Sequence, residues 1–86
     1  MSYNLIITKQ AQRDLSKLPF DIAQRIQNKL KFFIKAPNPL FFTKPLKDLP
    51  PATHRFQIGN YRARFFRQNR TICITKIEIR SRAYKT

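Results

Sequence analysis

Eighty-six residues leave room for one domain and exclude a separate cofactor domain or a second globular unit. The 18 Lys and Arg against 4 Asp and Glu give a net charge of +14, spread along the whole chain, so the folded body itself favours polyanions. Nucleic acid comes first among these, an anionic membrane second and an acidic protein third. With 42% hydrophobic residues and 8 Phe, the composition argues against disorder.

Tyr3 to Ile7 reads as a short strand whose apolar run is too short for a signal segment or a membrane span, which points to a cytoplasmic protein. Thr8 is an N-cap candidate, and Ala11, Leu15 and Leu18 recur at helical spacing up to Pro19. Ile22, Ile26, Leu30 and Phe33 make the apolar stripe of a second helix, which Pro37 should end near Ala36. Residues 36 to 52 hold five of the 6 prolines, so no regular structure is expected there. Leu40, Phe41, Phe42, Leu46 and Leu49 nonetheless make this segment an ordered wrap.

From Thr53 the period changes to two, and Gly59-Asn60 offers a two-residue hairpin turn, most simply type II′. A third strand of this region, about Thr71 to Ile79, follows the turn at Gln68-Asn69-Arg70. Cys73 lies in that run as a buried, inert thiol, and a single cysteine excludes an internal disulfide. The order is β-α-α-β-β-β, an α+β fold with two N-terminal helices on one face of a mostly antiparallel sheet.

A turn at Gly59 and Asn60 pairs Ile58 with Tyr61, Gln57 with Arg62, Phe56 with Ala63 and Arg55 with Arg64. One face then carries Phe56, Ile58, Tyr61, Ala63 and Phe65 for packing on the helices. The other carries Arg55, Gln57, Arg62 and Arg64, with no carboxylate in these two strands to offset like charges lying opposite each other. A three-residue second turn would put Lys76 across from Arg62, with Glu78 and Arg80 farther along. Guanidinium forks match phosphate oxygens, so this face suits a nucleic-acid backbone and charge stabilisation in phosphoryl transfer; a solvated polar face is the simpler alternative.

His54 should point to the helix side as a satisfied imidazole, and one His with one Cys cannot complete a transition-metal site, so no metal or other cofactor is expected. The phenylalanines, including Phe32-Phe33 and Phe41-Phe42, are expected mostly in the core rather than as base-stacking rings. Lys9, Arg13, Lys17, Arg25 and Lys29 either widen an electrostatic funnel or form ordinary solvated surface.

Three stretches, Lys44-Pro-Leu-Lys-Asp-Leu49, His54-Arg-Phe-Gln-Ile-Gly-Asn-Tyr-Arg62 and Ile77-Glu-Ile-Arg-Ser-Arg-Ala-Tyr84, resemble the RelE/ParE toxin superfamily. The likeness spans nearly the whole chain, including the Ala-x-x-x-Leu-x-x-Leu-Pro helix at Ala11 to Pro19, and implies a single toxin domain over residues 1–86. It is closer to the RelE-like messenger-RNA interferases, which act in the ribosomal A site through metal-independent attack of a 2′-hydroxyl on the adjacent phosphate. By that resemblance Arg55 and Arg62 hold and charge-stabilise the scissile phosphate, Arg80 assists, and Tyr84 positions the nucleotide. Lys44, Lys47, Arg64 and Arg82 are further RNA-binding candidates.

The chain departs from the pattern at Gln57, where some RelE-like toxins carry a second Lys or Arg, and at Ile79, where many carry His. A general base is therefore not obvious. Glu78 would serve if it faced the arginines, although cationic neighbours weaken a carboxylate as a base. The competing readings are a ParE-like inhibitor of DNA gyrase and a nucleic-acid-binding module without toxicity. The resemblance and the uncompensated charge together imply a cognate antitoxin as partner, beside ribosome and messenger RNA.

Overall fold

Thr8 joins the first two elements by using one hydroxyl twice. Its Oγ1 accepts from the Ala11 amide, capping a helix, and donates to the Ile74 carbonyl at 2.8 Å, fastening that helix start to a distant strand. In this computed structural model, which describes residues 3–79, the strand before Thr8 is β1 (Asn4–Ile7) and the helix after it is α1 (Lys9–Ser16). Pro19 then starts α2 (Phe20–Lys35), where its fixed φ suits a helix entrance.

The remaining strands are β2 (Thr43–Pro45), β3 (His54–Ile58), β4 (Tyr61–Gln68) and β5 (Thr71–Ile79), in the sheet order β1-β5-β4-β3-β2. β1 runs parallel to β5 and every other pair is antiparallel. The α+β architecture read from the sequence is therefore present, with one strand more than expected. Residues 36 to 52 are not wholly irregular: Pro39–Phe42 form a 3-10 turn and Thr43–Pro45 form β2. β2 is an edge strand, where a proline without an amide donor is tolerated.

The β3–β4 register is the one the Gly59 turn dictates, from Ile58 opposite Tyr61 to His54 opposite Phe65. Gly59 has φ 59, which a glycine adopts without strain, as the first position of a type II′ turn requires. The β4–β5 register differs from expectation. Gln68 pairs with Thr71, so the turn is two residues long, with Asn69 at φ 56. A bulge then leaves Thr75 without an opposite residue, so Arg62 faces Glu78 and Arg64 faces Lys76.

The core lies between the helices and one sheet face. Ala11, Leu15, Ile26, Leu30 and Phe33 meet Phe56, Ile58, Ala63, Phe65, Ile72, Ile74 and Ile77. Phe33, Phe56 and Phe65 stack with ring centroids 4.6 Å apart at each step, and Cys73 is buried and free. The expectation that the phenylalanines mostly enter the core fails at α2 and the 3-10 turn. Phe20, Phe32 and Phe41 are 81%, 57% and 79% exposed, and Phe42 is exposed as well. Phe20 and Phe32 project outward because Ile26, Leu30 and Phe33 already fill the inner stripe of α2. Among the described residues no helix is long and apolar enough to cross a membrane.

These positions predict opposite stability outcomes. Phe56→Ala removes the middle ring of the stack and should cost about 3–5 kcal/mol in a urea titration, whereas Phe41→Ser should stay within about 0.5 kcal/mol.

Candidate nucleic-acid interface

Register alone gathers cations on the sheet face turned away from the helices. Lys44 pairs with Arg55, Arg55 with Arg64, and Arg64 with Lys76. Directly paired residues project to the same face and neighbouring strands lie about 4.8 Å apart, so these side chains form one row across four strands. The adjacent row, towards the Gly59 turn, reads Gln57, Arg62, Glu78. The sequence places Lys76 on this face opposite Arg62; the bulge at Thr75 puts it opposite Arg64 instead, at the end of the cationic row.

Glu78 supplies the one carboxylate of this pair of rows. Arg64 donates to it through Nε and Nη2, each at 2.9 Å, in a bidentate fork. Arg62 Nε lies 3.6 Å from Oε2, an ion pair without a hydrogen bond. The Arg62, Arg64 and Glu78 side chains keep 17%, 25% and 20% exposure, so the cluster is largely shielded from water. Glu78 does face the arginines, but both of its oxygens are taken by Arg64.

Arg55 Nε and Arg62 Nε are buried and have no hydrogen-bond partner among the described residues. A buried donor without an acceptor costs about 1–3 kcal/mol, and an anion bound between the strands would supply the missing acceptor. Gln57 takes no part in such a pair, because its amide donates to the Gly59 and Tyr61 carbonyls at 2.7 and 3.2 Å. Its side chain is spent on holding the hairpin end.

Lys44 stands exposed at the β2 end of the row, while Lys47 is exposed in the loop that follows and has no strand register. Arg80, Arg82 and Tyr84 lie outside the described residues. His54 stacks on Phe65 with centroids 5.8 Å apart and its Nδ1 lies 3.0 Å from Thr53 Oγ1, consistent with a structural imidazole. Lys9, Arg13, Lys17, Arg25 and Lys29 are exposed on helices that pack against the opposite sheet face, so they do not extend the row. Among the described residues no group of three or more His, Cys, Asp and Glu could hold a metal ion.

Solved structures that share this architecture include RelE-type toxins, alone or with an antitoxin. The RelBE2 toxin-antitoxin complex of Mycobacterium tuberculosis has a TM-score of 0.72 at 27% identity, over 93% of this chain and 100% of that one. The archaeal RelE–RelB complex of Pyrococcus horikoshii has a TM-score of 0.73 at 25% identity, over 95% and 99%. A mutant E. coli RelE in the free state, at 15% identity and a TM-score of 0.71 over 98% and 90%, shares the fold. No curated protein sequence matches the chain.

Two helices on a five-stranded sheet with a cationic row on the far face thus define a toxin of the RelE/ParE superfamily. The family model that matches residues 5–84 is the ParE toxin of the type II toxin-antitoxin system, and the chain belongs to that family.

The two arginines nearest Glu78 should differ in their structural worth. Arg64→Ala breaks the fork and should cost about 1 kcal/mol, whereas Arg62→Ala removes a looser ion pair and a donor without a hydrogen-bond partner among the described residues, and should stay within about 0.5 kcal/mol of the parent or rise slightly. Thermal melts at matched ionic strength measure both.

Proposed function

We propose that this toxin is a ribosome-dependent endoribonuclease that cleaves messenger RNA in the A site. The observation that supports this reading is the row of Lys44, Arg55, Arg64 and Lys76 beside two buried guanidinium Nε–H donors, on Arg55 and Arg62, that lack acceptors among the described residues. In the reaction a ribose 2′-oxygen attacks the adjacent phosphorus, the bond to the 5′-oxygen of the next nucleotide breaks, and a 2′,3′-cyclic phosphate remains. The 2′-hydroxyl gives up its proton and the leaving 5′-oxygen gains one.

Negative charge grows on the non-bridging oxygens during the attack, and Arg55 and Arg62 would donate to them where that charge develops. Arg80 and Tyr84 are assigned supporting roles by family resemblance, the tyrosine against the nucleotide. Arg64, Lys76, Lys44 and, farther out, Lys47 and Arg82 would hold the flanking backbone. Glu78 would accept the 2′-proton only after leaving Arg64, so much of the acceleration is assigned to alignment on the ribosome and to charge stabilisation. The target places the toxin in the cytoplasm.

The family model favours a second reading, inhibition of DNA gyrase without catalysis, as expected of a ParE-type toxin. Mapping RNA ends after induction, beside a supercoiling assay, separates the two: new ends at in-frame codons with unimpaired gyrase support the nuclease, and the reverse result supports the inhibitor. The two RelE relatives solved as complexes with RelB support a cognate antitoxin for this chain. The exposed Phe20, Phe32 and Phe41 are the apolar surface such a partner would cover. Co-purification with the product of the neighbouring gene checks this.

Two measurements test the nuclease reading. Arg62→Ala should cut messenger-RNA cleavage on programmed ribosomes by roughly 100- to 1000-fold, the usual cost of a lost charge-stabilising donor, while its melting temperature holds. Cleavage at the parent rate would remove the arginine face from the mechanism. Affinity for ribosomes should also fall linearly on a log–log salt plot with a slope of several counterions; a flat response would point to an apolar protein target instead.

A further inference from the structure

The reading of this face as a phosphate site leaves the fork between Glu78 and Arg64 unexplained, since a carboxylate held among cations weakens any anion site. The chain has 4 acidic residues, and the other three are placed elsewhere. Asp14 accepts the Ile77 amide at 2.9 Å from the helix side, Asp21 stands in the first turn of α2, and Asp48 lies in the loop after β2. Glu78 alone reaches the cationic row, and it does so diagonally. It pairs across the strands with Arg62, yet its two oxygens go to Arg64 of the neighbouring row.

We propose that Glu78 is a built-in competitor for the RNA phosphate: in the free protein its carboxylate fills the Arg64 fork, and a bound phosphodiester takes its place. This inference rests on the nuclease reading and assigns an additional role within the same site. A guanidinium donates to two oxygens of a carboxylate or of a phosphate in the same bidentate geometry, so the exchange costs Arg64 no hydrogen bonds. The carboxylate is undersized for the site. Oε2 sits 2.9 Å from Arg64 Nε and 3.6 Å from Arg62 Nε, and Arg55 Nε and Arg62 Nε have no hydrogen-bond acceptor among the described residues.

A phosphodiester offers two non-bridging and two ester oxygens, enough to serve donors that one carboxylate leaves unmet. Glu78 sits one residue from the end of β5 and retains 20% exposure, so its side chain can turn to water without moving the strand. The consequence is a site whose affinity is held down until an anion with more acceptors than a carboxylate arrives. Weak anions are excluded by the same device.

The test uses the full-length toxin, a short single-stranded RNA made uncleavable by 2′-deoxy substitution, and binding curves at low salt. Glu78→Gln, which keeps the side chain's size and one acceptor oxygen, should bind about tenfold tighter than the parent. Glu78→Asp, whose shorter reach strains the fork while keeping the charge, should fall between. In an Arg64→Ala background the gain from Glu78→Gln should shrink to less than half on a logarithmic scale, because the fork it frees is gone.

A Glu78→Gln protein that melts like the parent but binds RNA no tighter, while Arg62→Ala binds less, overturns the competitor role and makes Glu78 a brace. A gain undiminished in the Arg64→Ala background overturns the fork exchange. If neither Glu78→Gln nor Arg62→Ala changes RNA affinity, the phosphate reading of the face fails and the competitor role falls with it. Should Glu78→Gln melt early, Glu78→Asp carries the comparison, and an affinity equal to or below the parent's then counts against the proposal.

Discussion

Lys44, Arg55, Arg64 and Lys76 stand side by side across four strands, and every adjacent pair in that row is a like-charge pair. Each such pair works against sheet pairing by up to about 1 kcal/mol. The register is nevertheless held, because the same strands bury Phe56, Ile58, Ala63, Phe65, Ile74 and Ile77 on their other face. A slip of one residue would turn those apolar groups to water and the cations into the core. The apolar face therefore dictates the position of every charge, and the cationic row is a consequence that the fold tolerates for function.

The bulge at Thr75 makes both faces of β5 compatible with this. Ile72 and Ile74 point to the helices in the first half of the strand, and Ile77 does so in the second, three residues on rather than two or four. The extra residue resets the alternation, so Lys76 and Glu78 arrive on the cationic face. β1 ends opposite Ile74, so among the described residues no strand pairs with the later part of β5 on that side. There the Asp14 carboxylate accepts the Ile77 amide, so α1 supplies an acceptor where β1 supplies no strand. Thr8 and Asp14 thus join the first helix to the strand that carries Glu78, while the Thr75 hydroxyl donates across the bulge to the Arg64 carbonyl of β4.

Local signals in the sequence carried the fold as far as local signals go. The Gly59 turn fixes a register by itself, so the Arg55, Arg62 and Arg64 face was legible before any coordinates. The β5 register was not, because a bulge responds to packing against β1 and α1 rather than to its own residues. β2 escaped notice since it is three residues long, ends in proline and exists only by pairing with β3. The exposed phenylalanines were misassigned for a different reason: composition counts apolar residues but cannot tell a core from a surface that another chain would cover. Gln57 departs from the family pattern, and its amide has a structural task, donating to the Gly59 and Tyr61 carbonyls at the hairpin end.

The order of residue types along the row has its own logic. Arginine occupies the two central places, Arg55 and Arg64, each flanked by cations on both sides, and lysine the two ends. A central side chain loses water to its neighbours, and a guanidinium, weakly hydrated and charge-delocalised, gives up that water more readily than a compact ammonium. It also cannot relieve the crowding by shedding its proton, whereas a lysine in the same place could titrate and lose its charge. At the ends, where fewer cations crowd the side chain, a flexible ammonium keeps its water. Crowding, rather than overall charge, thus explains why the strands that form the centre of the site carry forks and the outer strands carry point charges.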